Sequence, residues 1–89
     1  MVGEMIGPAI RRLRESARAP RRVLAHRAGV GETFLGDLER GERTDLRVFT
    51  LVRIVRGLAS ITGRPPMEVL KYLLQDTLVD TNAPADGGR

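Results

Sequence analysis

Cysteine and tryptophan are both absent from these 89 residues. Without thiols the chain forms neither disulfides nor thiolate metal sites. His26 is the single histidine, so a zinc site lacks its ligands too, and no metal or cofactor is expected. With one imidazole there is no nucleophile–base pair to assemble, and an enzyme is not expected. His26 lies mid-helix between Ala25 and Arg27 and reads as a solvated surface residue. Aromatics make up 3% of the chain, so the core must be aliphatic. No apolar run approaches the length of a bilayer span. The N-terminus lacks the basic region and long apolar core of a secretion signal. A soluble, cytoplasmic protein is the expectation. Alternating strand patterns and internal repeats are also missing.

What is present is a one-domain composition. Apolar residues reach 42%, enough for one compact core plus a short extension. The formal charge of +4 is uneven. Residues 1–64 hold 13 arginines and 7 acids, a balance of +6, whereas residues 65–89 come to −2. A basic small domain fits a polyanionic partner, although a merely soluble surface would look the same by charge alone.

Five helical segments account for the apolar spacing. The first, MIGPAIRRLRESAR, carries Ile6, Ile10, Leu13 and Ala17, with Pro8 suited to its first turn. The second, RRVLAHRA, presents Val23, Leu24 and Ala28 and stops at Gly29. The third, GETFLGDLER, presents Phe34, Leu35 and Leu38 and stops at Gly41. The fourth has Thr44 or Asp45 as N-cap, a stripe of Val48, Leu51, Val52, Val55 and Leu58, and a stop at Gly63. The fifth follows Pro65-Pro66 with Val69, Leu70, Leu73, Leu74 and Leu78. This divides the chain into a domain at 1–64, a C-terminal helix at 65–79 and a tail at 80–89 of disordered composition.

The spacing around Gly29 is the most informative stretch. Ala25 supplies a small residue where two helices would touch, and Gly29 tolerates the positive φ of a tight turn. Leu24, Ala28, Val30, Leu35 and Leu38 then pack the two helices together. Gly29–Gly31 is not a nucleotide loop, since it follows a helix and no lysine comes after it.

With IGPAIRRLRE, VLAHRAGV, FLGDLERGE and VFTLVRIVRGL in this order, the chain resembles the Cro/repressor-type (XRE-like) helix-turn-helix family over about residues 6–58. The resemblance implies an all-α, five-helix domain and a bacterial or phage transcription regulator, most simply a repressor. It implies a structural ion pair between Arg14 and Glu39. It places the third helix in the DNA major groove, with Gly31, Glu32, Thr33, Gly36 and Asp37 facing bases. Arg21, Arg40, Arg43, Thr44 and Arg47 would face phosphates, with Arg22 and Arg27 extending the basic rim. Arg21 departs from the glutamine usual in the family, which favours phosphate contact over base-directed orientation.

Two acids on the outward face complicate that picture. A carboxylate about 6 Å from a phosphate is repelled by roughly 1–3 kcal/mol. One that accepts from a cytosine amino group gains roughly 1–3 kcal/mol of discrimination. The acids therefore do not exclude DNA. Each also has a structural reading: Glu32 suits the first-turn helix dipole, and Asp37 can pair with Arg40. Gly36 either lets the helix approach a partner backbone or has no such role. The alternative is a protein–protein interaction module on the same fold, an antirepressor or co-regulator that uses the acidic face. A membrane-surface helix fits poorly, because the arginines are spread over several helices. Finally, the surplus apolar residues Leu70, Leu74 and Leu78 suggest that the outer half of the fifth helix forms a homodimer seam. Such a dimer would read an inverted repeat.

Overall fold

The computed structural model describes the backbone of residues 2–43 and 45–82, and the side chains within 6–43 and 45–75. Among these residues there are five helices and no strand: α1 Val2–Ser16, α2 Arg21–Ala28, α3 Glu32–Glu39, α4 Val48–Thr62 and α5 Pro66–Asn82. None is long and apolar enough to cross a membrane.

One aliphatic cluster joins all five helices. Ile6, Ala9, Ile10 and Leu13 come from α1, and Leu24, Ala25 and Ala28 from α2. Leu35 and Leu38 come from α3, Ile54, Val55 and Leu58 from α4, and Val69 and Leu73 from α5. The i, i+3, i+4 spacing of each set puts it on one face of its helix. Each fully buried aliphatic side chain contributes roughly 1.5–3 kcal/mol. Phe34 is only partly buried, while Phe49 and Tyr72 are exposed, so no aromatic ring enters the buried core.

Two glycines allow helices to approach closely. A Cβ on Gly7 of α1 would stand 1.9 Å from the Leu38 carbonyl oxygen, so α1 presses against the last turn of α3. A Cβ on Gly57 of α4 would meet Leu24 at 3.0 Å and the Ala28 backbone nitrogen at 3.2 Å, on α2.

The helix ends differ from the sequence reading in several places. Helix α1 begins at Val2, so Pro8 lies inside it rather than in its first turn. An interior proline forfeits one ladder bond. After α1 the chain turns at Arg18, which takes φ 56° in the left-handed region without being glycine. On the exposed side of α1, Arg11 donates to Glu15 at 3.0 Å. That hydrogen bond holds the Glu15 carboxyl below its ordinary pKa. Helix α4 starts at Val48 with Arg47 as N-cap, displacing Asp45 from that role; Thr44 lies outside the described residues. Its buried residues are Ile54, Val55, Gly57 and Leu58, whereas Val48 and Val52 of the expected stripe are exposed.

Helix α5 runs to Asn82, so 80–82 continue the helix instead of opening the tail. Leu70 and Leu74 pack against the core. They offer less free surface for a dimer seam than the sequence suggests. The Leu78 side chain and residues 83–89 lie outside the described set.

Candidate nucleic-acid interface

Helices α2 and α3 are joined by Gly29, Val30 and Gly31. Gly29 adopts φ 71°, ψ 34°, and its N–H and that of Val30 donate to the last carbonyls of α2. A left-handed residue here reverses the chain without strain only if it is glycine. Behind this turn, Leu24, Ala25 and Ala28 meet Leu35 and Leu38 in the core.

Glu39, at the end of α3, is 2% exposed and receives two arginines. Arg14 of α1 donates through Nε to Oε2 at 2.8 Å and through Nη2 to Oε1 at 3.0 Å. Its Nη1 donates to the Ala19 carbonyl at 2.8 Å, tying α1 to the turn before α2. Arg21 of α2 adds Nε to Oε1 at 3.3 Å. A planar guanidinium matches a carboxylate edge to edge, so Arg14 fixes orientation as well as distance. One carboxylate thus locks α3 against both α1 and α2 on the side away from its exposed turn.

Gly31, Glu32 and Thr33 are exposed on the N-terminal turn of α3, and Asp37 is half-buried. Gly36 departs from the expected base-facing role, because it is buried. Its missing side chain leaves room for two guanidinium groups: Arg40 Nη1 would lie 3.1 Å and Arg21 Nη1 3.4 Å from a Cβ placed there. Asp37 accepts from Arg40 Nη2 at 2.6 Å, and Arg40 Nε also faces Glu42 at 3.3 Å. Arg40 therefore sits between two acids.

The expected phosphate contacts fall into two groups. Arg21, Arg40 and Arg43 are engaged within the molecule. Arg43 faces Asp45 at 3.4 Å and stacks over the Phe34 ring at 5.1 Å from its centre. Arg22 and Arg47 are exposed, and no acid pairs with either among the described residues. Arg27 donates to Ser60 of α4 and so bridges α2 and α4.

Both unpaired cations stand at open helix ends. Pro20 before α2 and Arg47 before α4 give no side-chain cap, and neither helix has an acid in its first turn. Helix α3 is also uncapped, at Gly31, but has Glu32 in its first turn. Uncapped N–H groups and the helix dipole together favour an external anion at α2 and α4.

Several site features escape the sequence reading. The second arginine on Glu39 lies in a position read only as phosphate-facing. Gly7 falls one helical heptad before Arg14, a spacing that places both on the face of α1 turned to α3. The Phe34–Arg43 stack has no local signal, because it crosses a turn. Compared with known proteins, the chain matches no family model, no curated protein and no solved structure.

Proposed function

We propose that this chain is a sequence-specific double-stranded DNA-binding regulator of the Cro/repressor type, acting as a repressor that occupies an operator in a bacterial or phage setting. Helices α2 and α3 form its helix-turn-helix, and α3 enters the major groove with Gly31, Glu32, Thr33 and Asp37 nearest the bases. The observation that carries this reading is the pair of uncapped helix N-termini at α2 and α4, each beside an exposed arginine that has no acidic partner among the described residues. Helix α2 abuts α3 through Arg21, and α4 follows α3 directly in the chain. Backbone N–H groups and guanidinium ions at such ends are suited to phosphate oxygens. Function is by occupancy, as a homodimer in the cytoplasm, with neither catalysis nor a cofactor.

The acids shape specificity within this scheme. Asp37 already bonds Arg40, so it reads a cytosine amino group only by sharing its oxygens or releasing that arginine. Glu32 has no cation partner among the described residues and is the freer of the two to accept from a base.

The second reading is a protein-interaction module that uses the same helix. It draws on Glu32 and Asp37 of α3, the second of which bonds Arg40. Selection of bound fragments from a random duplex pool at physiological salt separates the two. An enriched inverted repeat supports the operator reader. No enrichment, with weak binding that disappears as salt rises, removes it in favour of the protein module.

A further inference from the structure

Gly36 is buried, yet helical spacing puts it on the face of α3 opposite Leu35 and Leu38, beside Thr33 and Arg40. What covers it is cationic. Arg40, four residues on, leans back over it in the direction that helical side chains take, and its Nη1 would stand 3.1 Å from a Cβ placed there. Arg21 Nη1 borders the same notch at 3.4 Å, and Arg21 Nε is held on Glu39. The Arg40 guanidinium is thus laid on the outward face of α3. One of its edges is taken: Nη2 donates to Asp37 at 2.6 Å, and Nε faces Glu42 at 3.3 Å. The Nη1–Nη2 end is left over, and no acceptor takes Nη1 among the described residues. The side chain is 45% exposed, so that end is open to a partner. We propose that Arg40 reads a guanine, oriented by Asp37 and Glu42 and seated in the notch at Gly36. The proposal rests on the DNA reading above and names a base and the residue that selects it.

Three arguments select a guanine edge. The first is charge. Two carboxylates against one guanidinium leave the site with no net attraction for a phosphate, whereas a base edge is neutral. The second is the pattern of donors and acceptors. The free end of Arg40 only donates, and guanine presents O6 and N7 as adjacent acceptors in the major groove. Adenine sets its N6 donor beside N7, cytosine presents a donor, and thymine sets a methyl beside its one acceptor, so none of them receives both N–H groups. The third is pre-organisation. An arginine settling on a base loses rotamer freedom, and here the acids already hold the fork in the folded chain. Asp37 then acts as a positioning residue, with its carboxylate engaged on Arg40 rather than on a cytosine.

Duplex selection, then competition between the selected site and its single-base-pair variants, tests this with the wild type, Arg40→Ala and Asp37→Ala. Neither residue is in the core, so far-UV circular dichroism should not change. The wild type is expected to select a G·C pair whose replacement weakens binding about tenfold or more. Arg40→Ala should abolish the preference at that pair and leave the log–log salt slope unchanged. Loss of a phosphate contact would instead lower that slope by about 1. Asp37→Ala should shrink the same preference several-fold without changing the preferred base, because the fork is loosened and not removed. A preference that survives Arg40→Ala overturns the assignment and gives the pair to Asp37, freed to accept from the cytosine. A salt slope that falls by about 1 with every base preference intact overturns it in favour of a phosphate contact. Either result leaves an enriched operator, and with it the DNA reading, in place. No enrichment of any duplex removes both.

Discussion

Replacing Arg14 with alanine would leave the buried Glu39 carboxylate with Arg21 alone, at the longer of its contacts. Breaking a buried ion pair from one side costs about 3–5 kcal/mol. With Arg21 remaining, the expected loss is about 3 kcal/mol, read from the urea midpoint. Arg14→Lys should recover little, because an ammonium cannot reproduce two parallel bonds and reach Ala19 as well. Two glycines should respond in opposite directions. Gly7→Ala forces a methyl into the Leu38 carbonyl, which belongs to backbone and cannot turn aside. About 3 kcal/mol of destabilisation is expected from such overpacking. Gly36→Ala meets mainly guanidinium ends that can swing away, and gains up to about 1 kcal/mol of helix propensity. Thermal melts of the two variants check both signs.

Among the elements, the α1–α2 corner holds a left-handed arginine. A non-glycine residue there costs about 1–2 kcal/mol. Arg18→Gly should therefore stabilise by about 1 kcal/mol, a rise in Tm of roughly 4–8 °C for a domain of this size. How far the sequence reveals these elements follows from how local their causes are. The α2–α3 turn was legible because Gly29 and the flanking aliphatics act over a few residues. The core of α2, α3 and α5 was legible for the same reason. The start of α4 was not, because Val48 and Val52 keep the helical period whether or not anything packs on them. Only their tertiary position shows them to be exposed, while Leu51 between them packs against the core. The pairing states of the arginines were likewise hidden. Asp37 with Arg40 has an i, i+3 signal, but Arg21 reaches from α2 to Glu39 on α3, and the same Arg21 joins the local Arg40 in covering Gly36.

For the whole molecule, net charge overstates the cations open to a phosphate backbone. If Arg22 and Arg47 each hold one phosphate, Arg22→Ala and Arg47→Ala should each lower the log–log salt slope of DNA binding by about 1. Arg43→Ala should change it less, since Asp45 already neutralises that cation and Phe34 carries its plane. Fluorescence anisotropy across a salt series measures all three. The purely aliphatic core has an optical consequence as well. With no tryptophan and one tyrosine, ultraviolet emission comes from a ring at the α1–α5 edge, where Arg12 Nε donates to the Tyr72 hydroxyl at 3.2 Å. Intrinsic fluorescence therefore reports the docking of the last helix and is blind to the centre of the protein. A tyrosine transition that precedes the loss of far-UV ellipticity would mean that α5 detaches while the other helices hold.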